Sequence, residues 1–110
     1  MDSPDSDLRV DCQVSDDGRS VCLRLDGEID LGTARRVEEA FTPALDPRCT
    51  RLVVDLSDVS FMDSSGLRVL VMARNALDGR GGEMVIAHIN DPLRRLFDMS
   101  GLTSAFTFRS

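Results

Sequence analysis

Ser60-Phe61-Met62-Asp63-Ser64-Ser65-Gly66-Leu67 decides how this chain folds, because two kinds of apolar pattern meet there. Leu52-Val53-Val54-Asp55-Leu56 before it is strand-like, and the run from Leu67 to Leu77 after it is helix-like. A strand-to-helix turn carrying Asp63-Ser64-Ser65-Gly66 sets two hydroxyls at or near a helix N-terminus. Unpaired backbone N–H groups and the positive end of the helix dipole favour an added negative charge there. Ser64 is the hydroxyl singled out as a phosphorylation switch, and the remaining elements read as its mount.

Upstream of this turn, Leu8 to Val14 and Val21 to Leu25 alternate apolar and polar residues around Asp16-Asp17-Gly18-Arg19, which predicts a β-hairpin. Residues 1–7, mostly Ser, Asp and Pro, are expected to form a flexible tail. Asp26-Gly27-Glu28-Ile29-Asp30 is expected to leave the second strand. Thr33 then caps a helix with Ala34, Val37, Phe41 and Leu45 at helical spacing, which Pro43 bends or ends. Leu52-Val53-Val54 is a continuous apolar run, as in a strand covered on both faces, and Asp55 is expected to close it.

In the helix after the turn, Leu67, Leu70, Val71 and Leu77 form a core stripe. Val69, Met72 and Ala76 are left for deep packing or a partner. Gly79-Arg80-Gly81-Gly82 stops this helix, and Glu83 to His88 reads as another buried strand. Asn90-Asp91-Pro92 opens a third helix with Leu93, Leu96 and Phe97 on one face. Gly101 with Leu102 behind it is a glycine stop, and Ala105 to Phe108 a last strand. The order β-β-α-β-α-β-α-β predicts one α/β domain over residues 8–110, an open, mixed and mostly parallel sheet with helices packed against it.

Composition removes several functions. A chain of 110 residues supports a single core. It carries 19 acidic and 13 basic residues, the latter all Arg, for a net charge of -6, and no basic stretch exceeds two residues; nucleic acid is therefore not an expected partner. Cys12, Cys22 and Cys49 lack metal-site spacing, and the hairpin sets Cys12 and Cys22 on opposite faces, so structural thiols in a reducing cytoplasm are expected. The N-terminus does not read as a signal peptide, and no apolar run approaches the ~18 residues of a membrane span. A cytoplasmic protein without membrane contact is expected.

Catalysis finds no machinery. A hydrolase elbow needs Gly two residues before its Ser, where this chain has Met62, and His88 ends a different strand. No Gly-rich phosphate loop follows a strand. An aspartyl phosphoacceptor at Asp55 would want a functional Lys, and the chain has none. No enzyme, metal or cofactor is expected.

Val53-Val54-Asp55-Leu56-Ser57, followed by Phe61-Met62-Asp63-Ser64-Ser65-Gly66-Leu67, resembles the signature of the anti-sigma-factor antagonists, within the STAS domain family. Leu25 to Asp30, Gly81 to Met84 and Leu93 to Leu102 resemble the family's flanking segments, so the likeness covers nearly the whole chain. Leu31-Gly32 departs from the more polar residues often found after the Asp30 position.

The resemblance implies a partner-switching module, in which the unmodified form binds a protein partner. That partner is an anti-sigma factor that is also a serine kinase of the histidine-kinase-like ATPase type, and its capture frees the sigma factor. The kinase phosphorylates the residue matching Ser64, and a PP2C-type phosphatase reverses this; ATP and magnesium belong to the kinase. Asp30, Asp63, Ser64, Ser65, Gly66 and Val69 are the expected partner-binding residues, on a chain that is a monomer when free. For Asp30 a simple loop acid competes with kinase docking. For Asp63 and Ser64 helix capping is the local alternative, and Ser65 reads as turn support. Gly66 permits either close backbone packing or partner approach. Asp55 reads as a local hydrogen-bond acceptor. A STAS subunit serving as a structural adaptor is the alternative function.

Overall fold

The computed structural model describes residues 8–109, so the tail expected over residues 1–7 lies outside the described residues. The hairpin forms as predicted from β1 (Leu8–Val14) and β2 (Ser20–Ile29), paired antiparallel with Val10 opposite Leu25 and Cys12 opposite Leu23. There follow α1 (Ala34–Ala40), β3 (Arg51–Met62), α2 (Ser64–Asp78), β4 (Glu83–Ile89), α3 (Asp91–Met99) and β5 (Thr107–Phe108). The sheet runs β1-β2-β3-β4-β5, with every pairing after the hairpin parallel. This is the mixed, mostly parallel α/β sheet expected from the element order.

Burial shows which face the helices cover. Val21, Leu23 and Leu25 of β2 and Leu52, Val54 and Leu56 of β3 are buried in one cluster with Val37, Phe41, Leu70, Leu77, Leu93 and Phe97. Their strand neighbours Cys22, Arg24, Arg51, Val53 and Asp55 stay half-buried or exposed on the opposite face. A continuous apolar run in β3 therefore reports a central strand, although only one face is fully covered.

Several expectations are corrected. β2 does not end at Asp26 but continues through Ile29. Gly27, at φ 123°, sits between two bulges in the β2–β3 ladder, a conformation that a side chain resists. β3 likewise runs past Asp55 to Met62, because the prolonged β2 supplies a partner as far as Ile29 opposite Met62. Pro43 ends α1, but the tight turn Thr42–Leu45 that follows buries Ala44 and leaves Leu45 exposed. In α2, Val69 and Ala73 join the buried stripe, while Met72 faces outward. The last strand shrinks to two residues because Thr103–Ala105 forms a short turn of helix. The glycine stop holds: Gly101 has φ 73° and the Leu102 N–H donates to the Phe97 carbonyl at 3.0 Å.

Candidate functional site

The end of β3 and the start of α2 are joined by a single residue. Asp63 is the N-cap of α2, and its Oδ1 accepts the Ser65 N–H at 2.8 Å. Its carbonyl accepts from Gly66 and Leu67 at 3.1 and 3.2 Å, which starts the helix. Ser64 is thereby set at the first helical position, exposed, while Ser65 is half-buried under the cap. Arg68, one turn on, is also exposed.

Gly66 is buried. A Cβ built there would lie 2.6 Å from Ile29 Cγ2 and 2.7 Å from Met62 Cγ. Of the two roles expected for this glycine, the structure supports close packing: the α2 backbone rests on the ends of β2 and β3. Val69 packs into the core at 6% exposure, which corrects its expected place on a partner surface.

Asp30 and Asp63 come together because their strands do. Ile29 pairs with Met62, and the Asp63 N–H donates to the Ile29 carbonyl at 3.1 Å, so the two acids leave adjacent strands at the same end of the sheet. Asp30 is held in a tight turn with Thr33. The Asp30 N–H donates to Thr33 Oγ1 at 3.0 Å, the Thr33 N–H donates to Asp30 Oδ1 at 3.1 Å, and the Thr33 hydroxyl donates to the Glu28 carbonyl at 2.9 Å. Thr33 thus occupies the N-cap position of α1 without making the expected side-chain cap; its hydroxyl clasps the strand it has just left.

Exposed apolar side chains flank these acids in the chain, Leu31 directly after Asp30 and Phe61 two residues before Asp63, and Met72 is exposed further along α2. Leu31 is 81% exposed, and Phe61 and Met72 are about half exposed. Phe61 borders a groove of about 210 Å³ between the end of β3 and α3, lined also by Met62, Pro92, Leu93 and Leu96. Leu31, an apolar residue directly after Asp30 in a loop, was the available signal; Phe61 lies in the largely apolar run Val59-Ser60-Phe61-Met62 and gave none. Asn90 fixes the same end of β3 from the far side. Its Oδ1 caps α3 through the Leu93 N–H, and its Nδ2 donates to the Val59 and Ser57 carbonyls at 2.7 and 3.2 Å.

Asp55 and His88 are elsewhere. They face each other across the β3–β4 ladder, seven residues before Met62 and so ~20 Å from the turn along the strand. His88 is therefore not beside Ser64. Asp55 is the local acceptor expected, taking the Ser57 N–H at 2.9 Å and its hydroxyl at 2.7 Å. Partial burial pushes its carboxyl up, but those two hydrogen bonds, with His88 and Arg24 nearby, hold it below the ordinary carboxylate range. Among the described residues no His, Cys, Asp and Glu cluster could hold a metal, and no helix is long and apolar enough to cross a membrane.

The family model described as the STAS domain matches residues 10–110. The chain belongs to the STAS domain family. Within this STAS family, it is 41% identical over 81 residues to the anti-sigma F factor antagonist of Paenibacillus polymyxa, covering 73% of this chain and 69% of that one. An anti-sigma factor antagonist from Mycobacterium paratuberculosis superposes with a TM-score of 0.81 at 28% identity, covering 99% of this STAS chain and 90% of the other. The Bacillus cell fate determinant SpoIIAA in its phosphorylated form shares the STAS fold, with a TM-score of 0.71 at 21% identity over 93% of this chain and 92% of its own.

Proposed function

We propose that this STAS protein is an anti-sigma factor antagonist switched by phosphorylation at Ser64. In its unphosphorylated form it binds an anti-sigma factor that is also a serine kinase of the histidine-kinase-like ATPase type, and the sigma factor is released. The kinase modifies Ser64, a PP2C-type phosphatase restores it, and the cycle takes place in the cytoplasm. This chain is substrate and ligand in the cycle, with no catalysis of its own. The observation that carries the proposal is the exposed Ser64 at the first position of α2, held by the Asp63 cap beside Asp30. The names of the relatives, anti-sigma factor antagonists, support the same direction.

The physical mechanism needs no large conformational change. Phosphorylation adds about 1.5 to 2 negative charges, which the positive end of α2 tolerates, so the fold survives. At a fitted interface the same charge joins Asp63 and Asp30, and like-charge repulsion adds to the cost of desolvation. A loss of ~3 kcal/mol weakens binding more than a hundredfold. Leu31 and Phe61, exposed beside the two acids, supply apolar area for the partner.

The test is recovery of partners on immobilised wild-type, Ser64→Ala and Ser64→Asp protein. Wild type and Ser64→Ala should both retain the kinase, Ser64→Ala should accept no phosphate, and Ser64→Asp should lose the kinase. Equal recovery of transporter or scaffold subunits by wild type and Ser64→Asp would replace the switch with the adaptor role.

A further inference from the structure

A second cavity, of about 610 Å³, opens at the carboxyl end of β4 and is lined by Ser57, His88, Asn90, Arg94, Phe108 and Arg109, together with Ala87 and Ile89. Among the described residues no carboxylate lines this cavity, although the chain is acidic overall at net charge -6. Its two guanidiniums have no acidic partner among the described residues. Arg94 lies over the Phe108 ring, 4.3 Å from its centroid, and the Arg109 backbone is anchored by its N–H to the Ile86 carbonyl at 2.8 Å.

The polar groups sort by what they have left to offer. Asn90 has no donor left to offer, since its amide N–H groups go to β3 while its oxygen accepts from α3. Ser57 gives its hydroxyl proton to Asp55 and retains acceptor capacity. Asp55 stands across the ladder from His88 but does not line the cavity. Donors therefore come from three elements: Arg94 from α3, His88 from the end of β4, and Arg109 from just beyond β5. A planar carboxylate is satisfied from one edge, whereas a tetrahedral phosphate takes donors from several directions. The volume is that of a small-molecule site, larger than a bare ion needs.

We propose that this cavity binds a small phosphomonoester, with Arg94, Arg109 and His88 around the phosphate and Ser57 accepting from a hydroxyl of the organic part. The site is separate from Ser64, and its occupation does not depend on the switch.

Amide shifts of the full chain would be followed on adding glycerol 3-phosphate, and separately inorganic phosphate, at constant ionic strength set with chloride. The expected result is saturable shifts at residues 57, 88, 94 and 109, with the ester several-fold tighter than inorganic phosphate. Arg109→Gln and Arg94→Gln should each weaken the ester about tenfold, a lost charge-assisted hydrogen bond. Arg35→Gln on α1 should leave it unchanged. Arg109→Gln leaves the Arg94 guanidinium over the Phe108 ring, so it remains informative if Arg94→Gln loosens the fold. Absence of saturation, equal loss with Arg35→Gln, or an ester no tighter than the free ion would overturn the proposal.

Discussion

Replacing Gly66 with Ala should destabilise the protein, against the usual gain from adding a methyl group to a helix. Gly66 is the third residue of α2, and Ala there gains about 0.5–1 kcal/mol of helix propensity. The added Cβ would lie 2.6 Å from Ile29 Cγ2 and 2.7 Å from Met62 Cγ, where carbon atoms prefer about 3.5–4.0 Å. Met62 has rotatable bonds with which to retreat, but Ile29 is β-branched and fully buried, so the α2 N-terminus or the end of β2 must shift by ~1 Å. Overpacking of this kind costs about 1–3 kcal/mol. Net of propensity, we expect a loss of ~1–2 kcal/mol, or roughly 5–10 °C in Tm. Urea unfolding monitored by far-UV circular dichroism measures it, and Ile29→Ala should relieve part of the penalty in a double-mutant cycle. A Gly66→Ala protein as stable as wild type would refute the packing argument and reopen this glycine as a place for partner approach.

Two further outcomes follow from the hydrogen bonds. Arg80 donates to the carbonyls of Cys49 at 3.0 Å, Ala76 at 3.2 Å and Ala44, tying the end of α2 to the start of β3. Arg80→Lys should lose ~2 kcal/mol in urea unfolding, since an ammonium cannot span the three acceptors, and a loss below a few tenths would make the clasp incidental. Ser57→Ala should raise the pKa of Asp55, read from its carboxyl carbon shift, because two hydrogen bonds to the charged form weaken or disappear. With the folded value depressed, this carboxylate stabilises the wild type above its unfolded pKa, and that contribution disappears as pH falls through the folded value. The Ser57→Ala protein should therefore lose less stability on acidification than wild type.

Local patterns carried the elements because local physics makes them. The cap and proline in Asn90-Asp91-Pro92 and the glycine stop at Gly101 are each satisfied within a few residues, and each stands where expected. Asp63-Ser64-Ser65-Gly66 was legible as a strand-to-helix turn for the same reason. Thr33 misled because a hydroxyl before a helix can bond forward to the helix or back to the strand; the bent end of β2 favours the latter.

What the sequence by itself determined is therefore the order of elements, the parallel sheet and the candidate serine at a helix start. Only the tertiary structure decided how far β2 and β3 extend together, since Gly27 and the bulges become informative once a partner strand is present. It also decided that Asp30 stands beside Asp63, that Val69 turns inward while Leu31 and Phe61 face outward, and that His88, Arg94 and Arg109 share one cavity. These are relations between residues far apart in the chain. Hydrophobic periodicity specifies which face of an element is buried, but pairing register and the neighbouring elements settle what meets across it.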